Sequence, residues 1–394
     1  MSENSKLVQG GNMKSGKVSD TALRRSVLKE VQKVNQGTLS PTVGGGAGVV
    51  PNCHVSGGLS RAGEATGALA QTGDEMSAAV FGAMQTVSGE GLATAYLAAV
   101  RAANSLAAKG AIPQSASIAI TVPESMDERD LRKMHERYCD YLQKHNIKIV
   151  GGHTAVSAVV TEPVVSVQML GTEDVQGLGS SESRGTEVSV SIPAKTQKTK
   201  PEVGNCEDFL GLDIVMTKTC GLGGTALLAG HFTDELATRY PRRFIERAAE
   251  FLAETEKNAE GYLAVADGAV YVHAAAEGGV FGSLWELAEY AECGLEIDLP
   301  TIPILQETVE ICEYFDVNPY QLRTEGVFLI LTEHGGRLCE SLEEKGIPAA
   351  VIGKTVPGLD RAVRNGEEVR YLEPNRVEEY ERVMAAKRAG KYKI

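Results

Sequence analysis

A polar stretch near the middle of the chain constrains its fold more than any other feature. Residues 172–208 are rich in Ser, Thr, Glu and Lys and carry one strand-like run, EVSVSIP, while strand and helix patterns resume on both sides. Such an interruption reads as a domain boundary or an inserted excursion. The chain of 394 residues is also too long for one typical core, so two domains are expected.

On the N-terminal side, the first dozen residues are polar and aperiodic and are expected to be a disordered extension, with the fold starting near Met13. Residues 19–34 read as a helix capped by Ser19, with Leu23, Val27, Val31 and Val34 on one face. Residues 40–67 are dominated by Gly, Ser and Pro; they are either a floppy linker or a loop pair around a short strand. An Ala- and Leu-rich helix is expected over 92–113, stopped at Lys109-Gly110 with Pro113 beyond. A strand at 116–123 leads to an amphipathic helix over 125–145, opened by a Ser125-to-Glu128 capping box. The run IKIV (147–150) reads as a strand ended by Gly151-Gly152, and EPVVSVQMLG (162–171) as another. Beyond residue 208, DIVMTK, VFLIL and AAVIGKTV supply strands among helical stretches. Strands and helices interleaved in both halves favour an α+β arrangement of two domains over one doubly wound sheet.

The net charge of −13 disfavours a nucleic-acid binder, since such proteins neutralise phosphates with Lys and Arg; the basic patch Arg239, Arg242, Arg243 and Arg247 is the local exception. Seven scattered cysteines without a C-x-x-C pair indicate neither a zinc site nor a disulfide framework. No apolar run reaches membrane-spanning length and no signal-peptide core opens the chain, so a reduced cytoplasmic protein with no membrane partner is expected.

Three places set polar groups beside glycines or inside apolar elements. Gly151-Gly152-His153-Thr154 is either a plain turn with a surface histidine or a turn whose bare backbone approaches a phosphate. At Glu277-Gly278-Gly279 a helix begins, with Val280, Leu284, Leu287, Ala288 and Ala291 on one face. Its first-turn amides suit an anion, whereas Glu277 suits a charge on the helix dipole. Asn104-Ser105 sits inside a helix of small residues, in a buried polar role or on an exposed face.

Together with GKVSDTALRRSVLKEV, AANSLAAKGAIP, GLDIVMTKTCGLGGTALLAG, AAAEGGVFGSLWELAEYAECGLEIDLPTIPI and ETVEICEYFDVNPYQLRTEGVFLI, these residues resemble a known superfamily. It comprises AIR synthase, HypE, selenophosphate synthetase and thiamine-monophosphate kinase, and the chain is most similar to HypE-like members of its AIR synthase-related branch. The resemblance implies a two-domain PurM-like α+β fold. Residues 13–171 would form an N-terminal nucleotide-site domain that dimerises through strands, 172–208 a linker or insertion, 209–375 a C-terminal α/β sandwich-type domain, and 376–394 a tail. It implies a homodimer that uses ATP and Mg2+ to phosphorylate a small substrate. Asn52, Asn104, Gly151, Gly152, His153, Thr154, Gly278 and Gly279 would then hold the nucleotide, Asp74 the metal, and His153 and Glu277 the chemistry.

The chain departs from the family pattern at Ser105, where Asp is usual, at Asn52, where the glycine-rich loop usually ends in Asp, and at Ala274-Ala275-Ala276, where Asp and Thr are usual. Magnesium is held through carboxylates and phosphate, so these exchanges motivate a second expectation: a dimeric binding or regulatory protein that keeps the fold without catalysis. The ending RAGKYKI lacks the tail cysteine of HypE, which argues against carbamoyl-to-cyano chemistry.

Overall fold

The structure, a computed structural model, describes residues 48–56, 77–89, 91–173, 206–374 and 378–390, together with Arg24 and Leu28. The helix expected over 19–34, Asp74, the side chain of Asn52 and most of the 172–208 segment fall outside the described residues. Two sheets account for the fold, one on each side of that segment.

The first sheet holds β1 (Gly48–Ser56), β2 (Ser77–Ser88), β3 (Ala111–Val122), β4 (Lys148–Val156) and β5 (Val164–Glu173) in the order β1-β2-β5-β3-β4. Helix α1 (Thr94–Ala107) packs across β2 and β5. Every residue of α1 is buried, because alanines on all sides let strands and helices approach closely. Gly110, at φ 71°, ends it as the Lys109-Gly110 signal predicts. Pro113 follows inside β3, beside a register shift against β5, where a missing N–H is tolerated. Helix α2 (Glu128–Lys144) carries Met134, Tyr138, Tyr141 and Leu142 inward. Its cap is Asp127, whose extended backbone aims the carboxylate at the Asp130 amide (2.9 Å); the Ser125-to-Glu128 box is displaced by two residues.

The glycine pair after IKIV does not end the strand. β4 runs through Gly151-Gly152-His153-Thr154 to Val156, parallel to β3, with Gly152 opposite Ile118 and His153 opposite Ala119. Gly152 is extended, and a Cβ there would press on the Ile118 carbonyl at 3.0 Å, so the missing side chain serves strand packing rather than a turn. β4 is the sheet edge, and all its residues except Ala155 are exposed.

The second sheet contains β6 (Asp213–Thr217), β7 (Tyr271–Ala274), β8 (Gly294–Asp298), β9 (Phe328–Thr332), β10 (Ala349–Val356), β11 (Arg361–Asn365) and β12 (Glu368–Tyr371), ordered β12-β11-β8-β10-β6-β9-β7. Its helices are α3 (Leu222–His231), α4 (Arg242–Glu254), α5 (Ala259–Ala266), α6 (Gly279–Ala291), α7 (Gln306–Phe315) and α8 (Gly335–Glu343). Ile214, Met216, Leu329 and Leu331 face one apolar cluster with α6, while Val215, Phe328 and Ile330 face another with α5 and α8. Alternate residues of β6 and β9 are thus buried on both sides, as expected of strands inside an α/β layer.

A third cluster joins the two halves: α1 and the first sheet share it with α3, α4, α7 and a last helix, α9 (Glu379–Arg388). The segment read from sequence as a tail therefore delivers Tyr380, Val383 and Met384 into a common core. No helix among the described residues is long and apolar enough to cross a membrane.

Candidate functional site

α1 places Arg101 and, one turn later, Asn104 on the face that meets the second domain. The Arg101 side chain is 3% exposed and crosses the boundary between domains. Its Nε donates to Glu325 Oε1 at 3.1 Å, its Nη2 reaches the same oxygen, and its Nη1 donates to Glu277 Oε1 at 2.6 Å. Burial alone would make the guanidinium easier to deprotonate; the carboxylates of Glu325 and Glu277 outweigh it and hold Arg101 above its ordinary range. Glu325 is fully buried, and its Oε2 has no hydrogen-bond partner among the described residues. That oxygen lies against Gly223 in the first turn of α3, where a Cβ would overlap it.

Glu277 differs from Glu325 in exposure: its side chain is 28% exposed and borders a cleft of about 560 Å³. The first domain contributes Thr86, Ser88 and Gly89 from the end of β2 and residues 159–162 from the loop after β4. The second contributes Glu277 and Arg323, with Glu378, Glu381 and Arg388 from α9 and its cap. Arg323 is 2% exposed, lies against the Tyr380 ring at 4.4 Å, and reaches Glu378 at 3.4 Å and Glu381 at 3.6 Å. Glu378 also accepts the Arg323 amide (3.1 Å) and caps α9 at the Glu381 amide (3.0 Å). Burial pushes the Glu378 carboxyl up, against the pull of Arg323.

Among the sequence-predicted residues, Glu277, Gly278 and Gly279 come together where β7 leads into α6. Gly278 (φ 81°) and Gly279 (φ 67°) are left-handed, and a Cβ on Gly279 would meet the carbonyls of Tyr320 and Leu322 at 2.6 Å. This junction is closed by backbone: the Phe281 amide bonds Tyr320 O (3.0 Å) and the Gly279 amide bonds Ala276 O (3.3 Å). The expected cradle of open amides is therefore filled at those two positions. Asn104 is buried, donates to Thr255 O (3.1 Å) and accepts from Asn258 (3.2 Å), so its amide ties α1 to the segment between α4 and α5. Gly151, Gly152, His153 and Thr154 lie together on β4, apart from the cleft lining, although the loop that follows β4 forms part of that lining.

Sequence reasoning missed Arg101, Arg323, Glu325 and the α9 residues. A lone arginine within LATAYLAAVRAANSLAA was the available signal, because a charge in an otherwise apolar buried helix requires a partner. Magnesium does not fit the described residues: Glu277 is bound to Arg101, the Asn104 amide is engaged, and no group of three or more His, Cys, Asp or Glu among the described residues is placed to hold a metal.

Comparison with known proteins follows the same architecture. Residues 58–172 match the family model of the AIR synthase related protein N-terminal domain, and residues 211–364 that of its C-terminal domain. A Methanocaldococcus jannaschii protein named for hydrogenase expression and formation is 25% identical over 263 residues; the match spans 64% of this chain and 66%, just under two thirds, of the relative's length. The structure of E. coli HypE superposes with a TM-score of 0.59 at 19% identity, covering 77% of this chain and 88% of its own. AaThiL complexed with AMPPCP and TMP superposes at 0.60 with 14% identity, covering 92% and 99%. A hydrogenase maturation protein HypE in complex with ATP superposes at 0.53 with 16% identity, covering 80% and 90%. These structural likenesses establish the PurM-like fold. With both domain models matched in order across the two sheets, the chain belongs to the AIR synthase related protein family.

Proposed function

We infer that this protein binds ATP and transfers its terminal phosphoryl group to a small substrate seated in the cleft between the domains. The observation that carries the reading is Glu277, which borders the cleft while Arg101 fixes its carboxylate from behind. Phosphoryl transfer depends mainly on positioning and electrostatic stabilisation, and a carboxylate held at 2.6 Å by Arg101 contributes to positioning. Held by the guanidinium, the Glu277 carboxylate is placed to orient a donor group of the substrate. HypE with ATP and AaThiL with AMPPCP and TMP, which share the fold, support nucleotide use. The nucleotide is assigned to the outer edge of β4, where Gly151, Gly152, His153 and Thr154 are exposed and the strand leads into the cleft-lining loop. The same edge, with Ile149, Val150 and Val156 exposed, suits pairing of two copies into a homodimer.

A second reading is favoured by one observation: Arg101 neutralises a carboxylate that borders the cleft, as suits a dimeric binding or regulatory protein without turnover. Calorimetric titration of the full chain with ATP, with and without Mg2+, separates the two. The enzyme reading expects ATP binding, with His153→Ala weakening nucleotide engagement at an unchanged melting temperature and Glu277→Gln weakening substrate engagement beyond any loss of stability. Absence of binding at millimolar ATP would leave the silent scaffold.

A further inference from the structure

Lys218, the residue after β6, carries a buried ammonium with more oxygens around it than it has donors. Its side chain is 11% exposed, and its backbone is left-handed at φ 54°, a conformation uncommon for a residue with a Cβ. Its Nζ donates to Lys257 O at 2.5 Å, to Gly326 O at 2.7 Å and to Glu254 O at 3.2 Å, which engages all three N–H groups. A fourth oxygen, Glu260 Oε1, lies 2.6 Å from the same nitrogen without a hydrogen bond to it, on a side chain 1% exposed. Four oxygens around three directed donors is the arrangement of a coordinated cation, which draws in oxygens from every side. Glu254 O adds the negative end of the α4 dipole. The distances of 2.5–3.2 Å are too long for magnesium, which holds oxygens at about 2.0–2.1 Å, and three of the four oxygens are neutral carbonyls. The set suits a large univalent ion.

These oxygens come from the two stretches on which the first domain docks. Glu254 and Lys257 flank Thr255, whose carbonyl receives Asn104 of α1 at 3.1 Å, and Glu256, whose carboxylate pairs with Lys144 of α2. Gly326 follows Glu325, the buried partner of Arg101. Gly326 (φ 80°) also packs so close to Thr255 that a Cβ would meet its Cα at 2.5 Å. We propose that this cage is a univalent-cation site in which the Lys218 ammonium is the tethered ion, holding both docking stretches in place for α1. Its free ligand is potassium or ammonium, admitted once the lysine stem is removed.

The test removes the stem and supplies the ion. Lys218→Gly suits the left-handed backbone and leaves room for an ion, whereas Lys218→Met fills the room with an uncharged stem. In tetramethylammonium chloride, whose cation is too bulky for the cage, both variants should melt roughly 5–10 °C below wild type, because Glu260 loses its buried counterion. Potassium or ammonium chloride at constant ionic strength should return about half or more of that loss to Lys218→Gly, rising with the logarithm of ion concentration. Wild type and Lys218→Met should gain nothing. Should Lys218→Gly fail to fold in tetramethylammonium, the folded yield on dilution from urea into potassium or ammonium becomes the reading, and recovery there supports the cage. The proposal is overturned if Lys218→Gly melts with wild type, if neither ion restores its melting temperature or its yield, or if Lys218→Met gains as much.

Discussion

Lys109, in the turn just past the end of α1, holds its ammonium 4.4 Å from the centre of the Tyr271 ring and 5.7 Å from that of Tyr290. The ring faces favour the cation, but burial outweighs them and pushes its pKa down to about 8. Below pH 8 the folded and unfolded chains both carry the proton. Between about 8 and about 10.4, the ordinary lysine value, the unfolded chain keeps a proton that the folded one has shed, so this group makes stability rise with pH. Urea denaturation across that window should show the wild type gaining on Lys109→Met; parallel curves would remove the assignment. From sequence, Lys109-Gly110 was legible as a helix stop, which it is, but not as a contact between domains. A stop signal depends on local backbone, whereas the Tyr271 and Tyr290 rings arrive from more than 150 residues away. Arg101 was better signposted, as a charge among alanines, though nothing local could name Glu325 as its partner.

β4 shows how element-scale reading succeeds and fails. Period and composition gave α2 close to its observed limits and the second half of β3, but missed residues 111–115. Amphipathic and alternating patterns report burial directly, and the alternation starts only at Ala116. Glycines in β4 were read as punctuation, yet an edge strand accepts them when a neighbouring carbonyl crowds the Cβ position. The cap at Asp127 rather than Ser125 is a smaller slip of the same origin, since several oxygen-bearing residues in a row compete for one amide. Side chains on an exposed edge contribute little to the core, so His153→Ala should change stability by less than about 0.5 kcal/mol. If two copies associate along this strand, Val150→Lys should convert the dimer to a monomer in sedimentation or gel filtration at an unchanged melting profile of the subunit. A wild-type chain that sediments as a monomer would rule that pairing out.

At the scale of the molecule, the two domains are bound by a shared apolar cluster and by one guanidinium facing two carboxylates. Removing the cation leaves Glu325 buried with no compensating charge, so Arg101→Met should cost about 3–5 kcal/mol in urea unfolding. Adding Glu325→Gln should restore part of that loss; a single variant within about 1 kcal/mol of wild type would show that the pair contributes little. The two-domain plan was legible in the sequence, through the polar interruption and the motifs on either side. The cleft was not, because Glu378, Glu381 and Arg388 reach its wall from α9 and its cap, a short helix whose sequence resembles any solvated tail.

The bridge made by Arg101 has a mechanical corollary. Because the cation belongs to one domain and both anions to the other, a hinge that parted the domains would strip all three groups of their counterions in a single motion. Under the proposed function, a small substrate would therefore enter at the rim between α9 and the loop after β4, in front of a frame that stays shut.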